Sequence, residues 1–552
     1  MMWLWLFIIV FNLSNTCSEP IAETPLGKVF GHYKVSENGR KYAAYEGIPY
    51  AKPPMGKLRF EDPVALRNPF RRLSATKKSG VCAQYYDVPP GKDGQPVLNG
   101  SLQGTEDCLY LNIYVPELED PKKLMPVIFF IHGGSFQYAS GTAFGDKYLA
   151  NRDVIFLTIN YRLGLLGFLS TEDAVVPGNM GLKDQSLALR WTYDNIKYFR
   201  GDAKKIILVG FSAGSSSIQY HYLSPLSHGL FSSSIAMSGT AFNPWAHTGR
   251  ARQKAKELGA LFNCPTSNSR HMINCLKKVP ALTLVAATKK FQFWQYNPEA
   301  PWAPVVDKYS PRPFISLSPK EILQQGLSYN APAVYGSVSQ EGCDPFAEYA
   351  PHDNLLKELN DGWFSIAPYL LEINDTFKRS IHREIASDSR WEYLQDKQIN
   401  KSTVPQLTEM LTDQRYLIGF ETGIRLQAAA TKSPVYMYYY SFRGSQSYSD
   451  HLSRTHNNYG VCHTDDMNLV VENPDIVPTA TKPEWEMSNF LMDMWVSVAY
   501  HGVPRVGVGW DPVDAKNQTL KYLHIEAPGK YKMSGSSNFG RKKFWRNFYD
   551  IA

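Results

Sequence analysis

Ser212 stands between two glycines in the run "ILVGFSAGSSSI", residues 207 to 218, behind apolar residues and ahead of small ones. A serine hydroxyl becomes a nucleophile when a base takes its proton. Glycines two positions either side allow a sharp strand-to-helix turn, a strained elbow that holds the hydroxyl out beside a helix N-terminus. The same spacing also occurs as a plain glycine-rich turn capping a helix, so the partners must decide. In the elbow arrangement they follow in the order serine, acid, histidine. Glu341 ends the apolar run "APAVYGSVSQEG", just past a strand, with Gly342 turning the chain away. His463 lies in "YGVCHTDDM", a polar turn among small residues. Read singly, each is an ordinary loop residue, and six other histidines also lie beyond Glu341. Negative charge developing on the oxygen of an attacked carbonyl needs backbone N–H donors. Ala213, directly after the serine, supplies one, and the glycine loop "FFIHGGSF" is placed to supply others.

These groups need rigid elements behind them. "MPVIFFIHGG" and "DVIFLTINYR" are unbroken apolar runs, the mark of strands buried on both faces of a parallel sheet. "DQSLALRWTYDNIKYF" has helical spacing and leads into "KKIILVGFSAG". Strand, helix, strand, turn, helix predicts an α/β fold with a large, mostly parallel central sheet flanked by helices. "SSSIAMSGT", "APAVYGSVSQEG" and "PVYMYYYSF" continue the sheet, while "GKVFGHYKV" and "KYAAYEGIPYA" alternate like antiparallel edge strands. No repeat, low-complexity tract or linker divides the chain, so a single domain is expected over residues 18–552.

The chain has 552 residues, is 43% hydrophobic and carries a formal charge of +7, small for its length. Its basic pairs are scattered, which speaks for solvated surface and against a nucleic-acid face. The opening "MMWLWLFIIVF", followed by "NLSNTCSEP", resembles the apolar and cleavage regions of a signal peptide over residues 1–17, too short to span a bilayer. Secretion is expected. If Cys17 leaves with that segment, six of the seven cysteines remain. There is no C-x-x-C and no histidine cluster at zinc spacing, so no metal is expected. Local pairing suggests Cys82–Cys108 and Cys264–Cys275. Cys343 and Cys462 flank the acid and the base, and free buried thiols are the favoured reading over a third bridge. Sequons at Asn99, Asn374, Asn400 and Asn517 suit a glycoprotein.

"EGIPYAKPPMGKLRF", "EDCLYLNIYVP", "NYRLGLLGFLS", "GNMGLKDQSLALRW", "GFSAG", "FSSSIAMSG", "APVVD" and "GVCHTDD" follow one another in this order. In this the chain resembles the type-B carboxylesterases of the cholinesterase/carboxylesterase family, nearly end to end, and "SGTAFNPWA" is similar to insect secreted esterases. The resemblance implies an α/β-hydrolase fold, Ser212 as nucleophile, Glu341 as acid and His463 as base. It implies oxyanion donors at Gly134, Ser135 and Ala213, and the same two disulfides. It implies no cofactor.

Three departures narrow the expectation. Phe211 stands where acetylcholinesterases carry glutamate and juvenile hormone esterases typically carry glutamine. The Cys82–Cys108 loop has no tryptophan to stack on a quaternary ammonium. Ser135 replaces the glycine or alanine of many relatives. The expected substrates are therefore uncharged, largely apolar esters (xenobiotic, odorant or pheromone, or lipid-like). Phe291, Phe293, Trp294 and Trp302 offer an apolar pocket wall, although rings of this kind more often pack a core. The alternatives are an esterase that mainly sequesters its ligand by slow turnover, and a noncatalytic adhesion or binding protein; the second usually lacks a triad residue. The expected partner is a small-molecule ester, with no nucleic acid and no stable membrane insertion. Nothing in the sequence sets the oligomeric state.

Overall fold

The apolar runs do become adjacent strands. In a computed structural model, residues 19–67, 70–86, 101–120, 122–473, 476 and 481–549 are described. The signal-like segment and Asn99 lie outside them. Eleven strands form the main sheet: β1 (His32–Val35), β2 (Lys41–Pro49), β3 (Tyr110–Pro116), β4 (Met125–Ile131), β5 (Ile155–Ile159), β6 (Gly201–Phe211), β7 (Ser233–Met237), β8 (Ala333–Val338), β9 (Val435–Tyr440), β10 (Leu520–Ala527) and β11 (Lys530–Ser536). Their spatial order is β11-β10-β9-β8-β7-β6-β4-β5-β3-β2-β1. Every junction from β10 through β5 is parallel, and the strands beyond pair antiparallel at both ends. This is the mostly parallel sheet expected.

Why β4 reads as unbroken apolar sequence is visible in its packing. Val127, Phe129 and Ile131 belong to the core on one face, whereas Ile128 and Phe130 belong to the core on the other. Side chains alternate across a strand, so a strand covered on both faces needs apolar residues at every position. On the first face lie helices α1 (Met180–Asn195) and α2 (Ala213–Leu223). On the second lies α3 (Lys482–His501), through Met487, Leu491, Met494, Trp495 and Val498. The C-terminal ends of β4, β6 and β8 lead directly into the loops that hold the candidate site, the usual ligand edge of an open α/β sheet. Cys82–Cys108 and Cys264–Cys275 are bonded. Among the described residues no helix is long and apolar enough to cross a membrane.

Candidate active site

Strand β6 ends at Phe211 and α2 begins at Ala213, leaving one residue for the turn. That residue, Ser212, has φ 55° and ψ −125°, a region non-glycine residues seldom occupy. Its N–H donates to the Met237 carbonyl at 2.8 Å, which pins the elbow to β7. The flanking glycines are required by close backbone approach: a Cβ at Gly210 would lie 2.6 Å from the Ile131 carbonyl oxygen, and one at Gly214 would collide with the same oxygen. Ser212 Oγ makes no hydrogen bond among the described residues and lines a cavity of about 210 Å³.

His463 lines the same cavity. Its Nδ1 is 2.6 Å from Oε2 of Glu341, which is fully buried. The other Glu341 oxygen accepts from the Ser337 hydroxyl at 2.9 Å and the Val338 N–H at 3.0 Å, so the carboxylate is fixed by the end of β8. Burial pulls the His463 imidazolium down, but the hydrogen bond and charge of Glu341, helped by Asp344 and Asp466, outweigh it and the pKa is raised. The loops carrying acid and base run side by side: the Gln340 N–H donates to the Val461 carbonyl at 3.1 Å, and the Val461 N–H to Gln340 Oε1 at 2.8 Å. The neighbouring Cys343 and Cys462 form no disulfide, lie buried in one small apolar cluster, and both thiols are pushed up by burial.

The glycine loop after β4 supplies a third wall. Gly134 has φ 92° and Ser135 φ 53°. The Gly134 carbonyl accepts from the N–H groups of Gln137 and Tyr138 at 2.8 and 3.0 Å, closing a tight turn over the elbow. Neither Gly134 nor Ser135 donates its own N–H to a carbonyl among the described residues. Ala213 opens α2, where the first N–H groups have no acceptor within the helix. Gly134 and Ser135 thus border the cavity that holds the candidate nucleophile, and Ala213 directly follows that nucleophile.

Several contributors escaped the sequence reading. Asp465 accepts from the Ser447 hydroxyl, the Tyr448 N–H and the Cys462 N–H at 2.7, 2.7 and 2.8 Å, fixing the residue before His463. Asp466 accepts from Tyr438 on β9 at 2.6 Å. Burial pushes them up to about 7 and about 6 respectively. The signal for this pair is the run "HTDD", two adjacent acids one residue after a base. Glu299 and Asp344 also line the cavity, and burial raises Asp344, with Glu341 adding to the effect. The apolar wall is Phe211, Phe144 and Met467, with Phe144 set edge-on to Phe211 at 5.4 Å. None of Phe291, Phe293, Trp294 and Trp302 lines the cavity, in keeping with the commoner core role of such rings. Trp294 and Trp302 are buried in the core, Phe291 packs on Trp302 at 4.8 Å, and Phe293 stacks on Tyr369 while 55% exposed.

The description of the carboxylesterase family matches residues 18–545. This chain belongs to the carboxylesterase family. It is 45% identical over 530 residues to venom carboxylesterase-6 of Apis mellifera, covering 96% of this chain and 94% of that one. It is 31% identical to the juvenile hormone esterase of Tribolium castaneum, covering 98% and 97%. The crystal structure of juvenile hormone esterase from Manduca sexta with OTFP covalently attached superimposes with a TM-score of 0.82 at 26% identity, over 97% of this chain and all of that one. The fold is accordingly that of an α/β-hydrolase, and the protein is a carboxylic ester hydrolase. Within this carboxylesterase the elbow, the Glu341–His463 pair and the glycine loop converge on one cavity.

Proposed function

We propose that this carboxylesterase hydrolyses uncharged esters with a largely apolar acyl or alcohol part, through an acyl-enzyme on Ser212. The observation that carries the reading is the single cavity shared by Ser212, His463 and the Gly134–Ser135 turn. With Nδ1–H given to Glu341, the neutral imidazole keeps Nε2 as its basic nitrogen. His463 takes the proton of Ser212 as Oγ attacks the ester carbonyl, and Glu341 stabilises the imidazolium formed. The N–H groups of Gly134, Ser135 and Ala213 receive the oxyanion. The imidazolium then protonates the leaving alcohol, and water repeats the cycle on the acyl-enzyme. The Manduca relative with OTFP covalently attached supports a covalent step in this fold. Phe144, Phe211 and Met467 support an apolar substrate part. Secretion is part of the proposal, supported by the apolar N-terminus, the two disulfides and the venom relative. Residues 1–17 would be the removed signal and Asn374, Asn400 and Asn517, with Asn99, the glycan acceptors.

The test is Ser212→Ala assayed on p-nitrophenyl esters of graded chain length. A loss of roughly 10⁴- to 10⁶-fold is expected, the scale seen when the nucleophile of such a unit is removed. A variant keeping a tenth of the rate contradicts the assignment. The same panel separates a turning-over esterase, linear from the first cycle, from a sequestering one, which would show a stoichiometric burst and then a slow rate.

A further inference from the structure

We infer that Glu299 is a positioning residue for the oxyanion loop, holding Ser135 through its hydroxyl while Arg415 holds Glu299. The inference rests on the reading of Ser212 as nucleophile and of the Ser135 N–H as an oxyanion donor.

Ser135 and Phe136 have φ 53° and 60°, in the left-handed region that favours glycine. Side-chain-bearing residues persist there when their surroundings over-determine them. The attachments are present on every side. The Ser135 hydroxyl donates to Glu299 Oε1, and the Ser135 carbonyl accepts from Gln137 Nε2 at 3.0 Å. That same Nε2 donates to the Trp302 carbonyl at 2.5 Å. The Phe136 carbonyl accepts the Gly164 N–H at 2.7 Å. Of these, only the Glu299 bond depends on the serine side chain.

Glu299 is itself held. Its second oxygen accepts from Arg415 Nη2, and its backbone N–H donates to Glu372 Oε1 at 2.6 Å. Arg415 has 0% side-chain exposure, and its Nε and Nη1 have no hydrogen-bond partner among the described residues. A buried guanidinium with unfilled donors is costly, and here the compensating carboxylate is Glu299; Glu372 lies 3.9 Å away, but burial pushes its pKa well above the usual carboxylate range. Arg415 projects from a π-helical turn, Thr412–Leu417, and such turns recur at functional sites. The next residue of that turn, Tyr416, sets its ring 5.0 Å from His463. One irregular turn therefore reaches both the base and, through Arg415 and Glu299, the oxyanion loop. The Ser135 hydroxyl gives this chain a handle on the loop in place of glycine's conformational freedom.

The test is a mutant cycle on p-nitrophenyl acetate, with Ser212→Ala in parallel. Glu299→Gln and Ser135→Ala should each lower kcat about tenfold, below the 10²–10³ seen when an oxyanion donor is lost outright, with KM held within about twofold. Adding Glu299→Gln to Ser135→Ala should cost nothing further. Ser135→Gly, lacking the hydroxyl but at ease with positive φ, should exceed Ser135→Ala in kcat about fivefold. Affinity for a trifluoromethyl ketone, whose adduct carries the oxyanion, should fall in step with kcat/KM. An unchanged Glu299→Gln enzyme, or a full tenfold further loss in the Ser135→Ala background, overturns the inference. If Glu299→Gln does not fold, the serine pair decides: equal rates for alanine and glycine overturn it. Activity surviving in Ser212→Ala instead removes the reading beneath it.

Discussion

Two cavities share one pair of loops. The smaller, about 210 Å³, receives Ser212 and His463; the larger, about 1230 Å³, is lined by Ser339 and Gln340, just before Glu341, and by Tyr459 and Gly460, just before His463. At the larger cavity the guanidinium of Arg541 is met by carboxyl groups. Arg541 lies 2.8 Å from Glu409, 3.2 Å from Glu392 and 3.7 Å from Asp413, and Tyr393 donates to Asp413 at 2.6 Å. In the smaller one, four side-chain-bearing residues, Ser135, Ala139, Ser212 and Thr464, have positive φ, against Arg541 alone in the larger, and a buried carboxylate, Glu341, is hydrogen-bonded to the His463 imidazole. Volume marks where a molecule fits. Strain and charge held by rigid strand ends mark where a reaction is prepared.

The contrast breaks most sharply at the shared loop itself. Glu341→Gln keeps the shape but removes the charge that, in the proposed mechanism, stabilises the imidazolium, and its amide can present N–H to Nδ1 and favour the wrong tautomer. The expected loss is roughly 10³- to 10⁴-fold in kcat, with near-unchanged thermal stability, read by steady-state kinetics and calorimetry. A near-normal rate would transfer the acid role to another carboxyl of the cavity, Asp344 first.

How much of this was legible beforehand differs by residue. The elbow was readable because its glycines answer a local need, close approach to the Ile131 carbonyl, that spacing alone encodes. Glu341 was readable because β8 stops just before it, and parallel buried strands announce themselves as apolar runs. In the segment "FQFWQYNPEAPWAPVVD" core packing is the commoner role of such rings, and Trp294 and Trp302 take it. Its rings go into the core or onto the surface, and the residue it delivers to the cavity is Glu299. A loop has no periodicity to say which side chain points where. Arg415, in "TDQRYL", looks like any solvated helical arginine, since one extra residue in a helical turn leaves no compositional mark.

pH sharpens the comparison further, because activity and stability should move in opposite directions. In the proposed mechanism His463 must be neutral to act as base, and its pKa is raised above the ordinary 6.5, so kcat/KM should fall on acidification with a midpoint above pH 6.5. A midpoint below that value would mean burial outweighs Glu341. Asp413 and Asp465 are pushed up by burial to about 7, and Asp466 to about 6, from an ordinary 3.8. Between pH 4 and 7 the folded state therefore binds more protons at these sites than the unfolded chain. Their contribution to stability is fully present below pH 4 and is lost as pH rises through 6 to 7. The raised histidine adds in the same sense. Denaturant unfolding at pH 5.5 and 7.5 should show these groups favouring the lower pH while the assay favours the higher.

The smallest effect is expected from the larger cavity. Arg541 is 30% exposed along its side chain, stacks over Tyr393 at 4.3 Å and pairs with three carboxyls, none of which touches Ser212 or His463. Arg541→Ala removes partly solvated ion pairs and one cation–π contact, a loss of about 1–2 kcal/mol. Asp413 would answer by holding its proton to higher pH, since Arg541 is among the groups that lower it, and so avoids an unpaired buried charge. The midpoint of thermal unfolding should drop by a few degrees at most, while kcat/KM on p-nitrophenyl esters stays within about twofold. A large loss of rate at unchanged fold would show that the two cavities are coupled through Gln340 and Gly460, and that the division between a cavity that fits and a cavity that reacts is drawn in the wrong place.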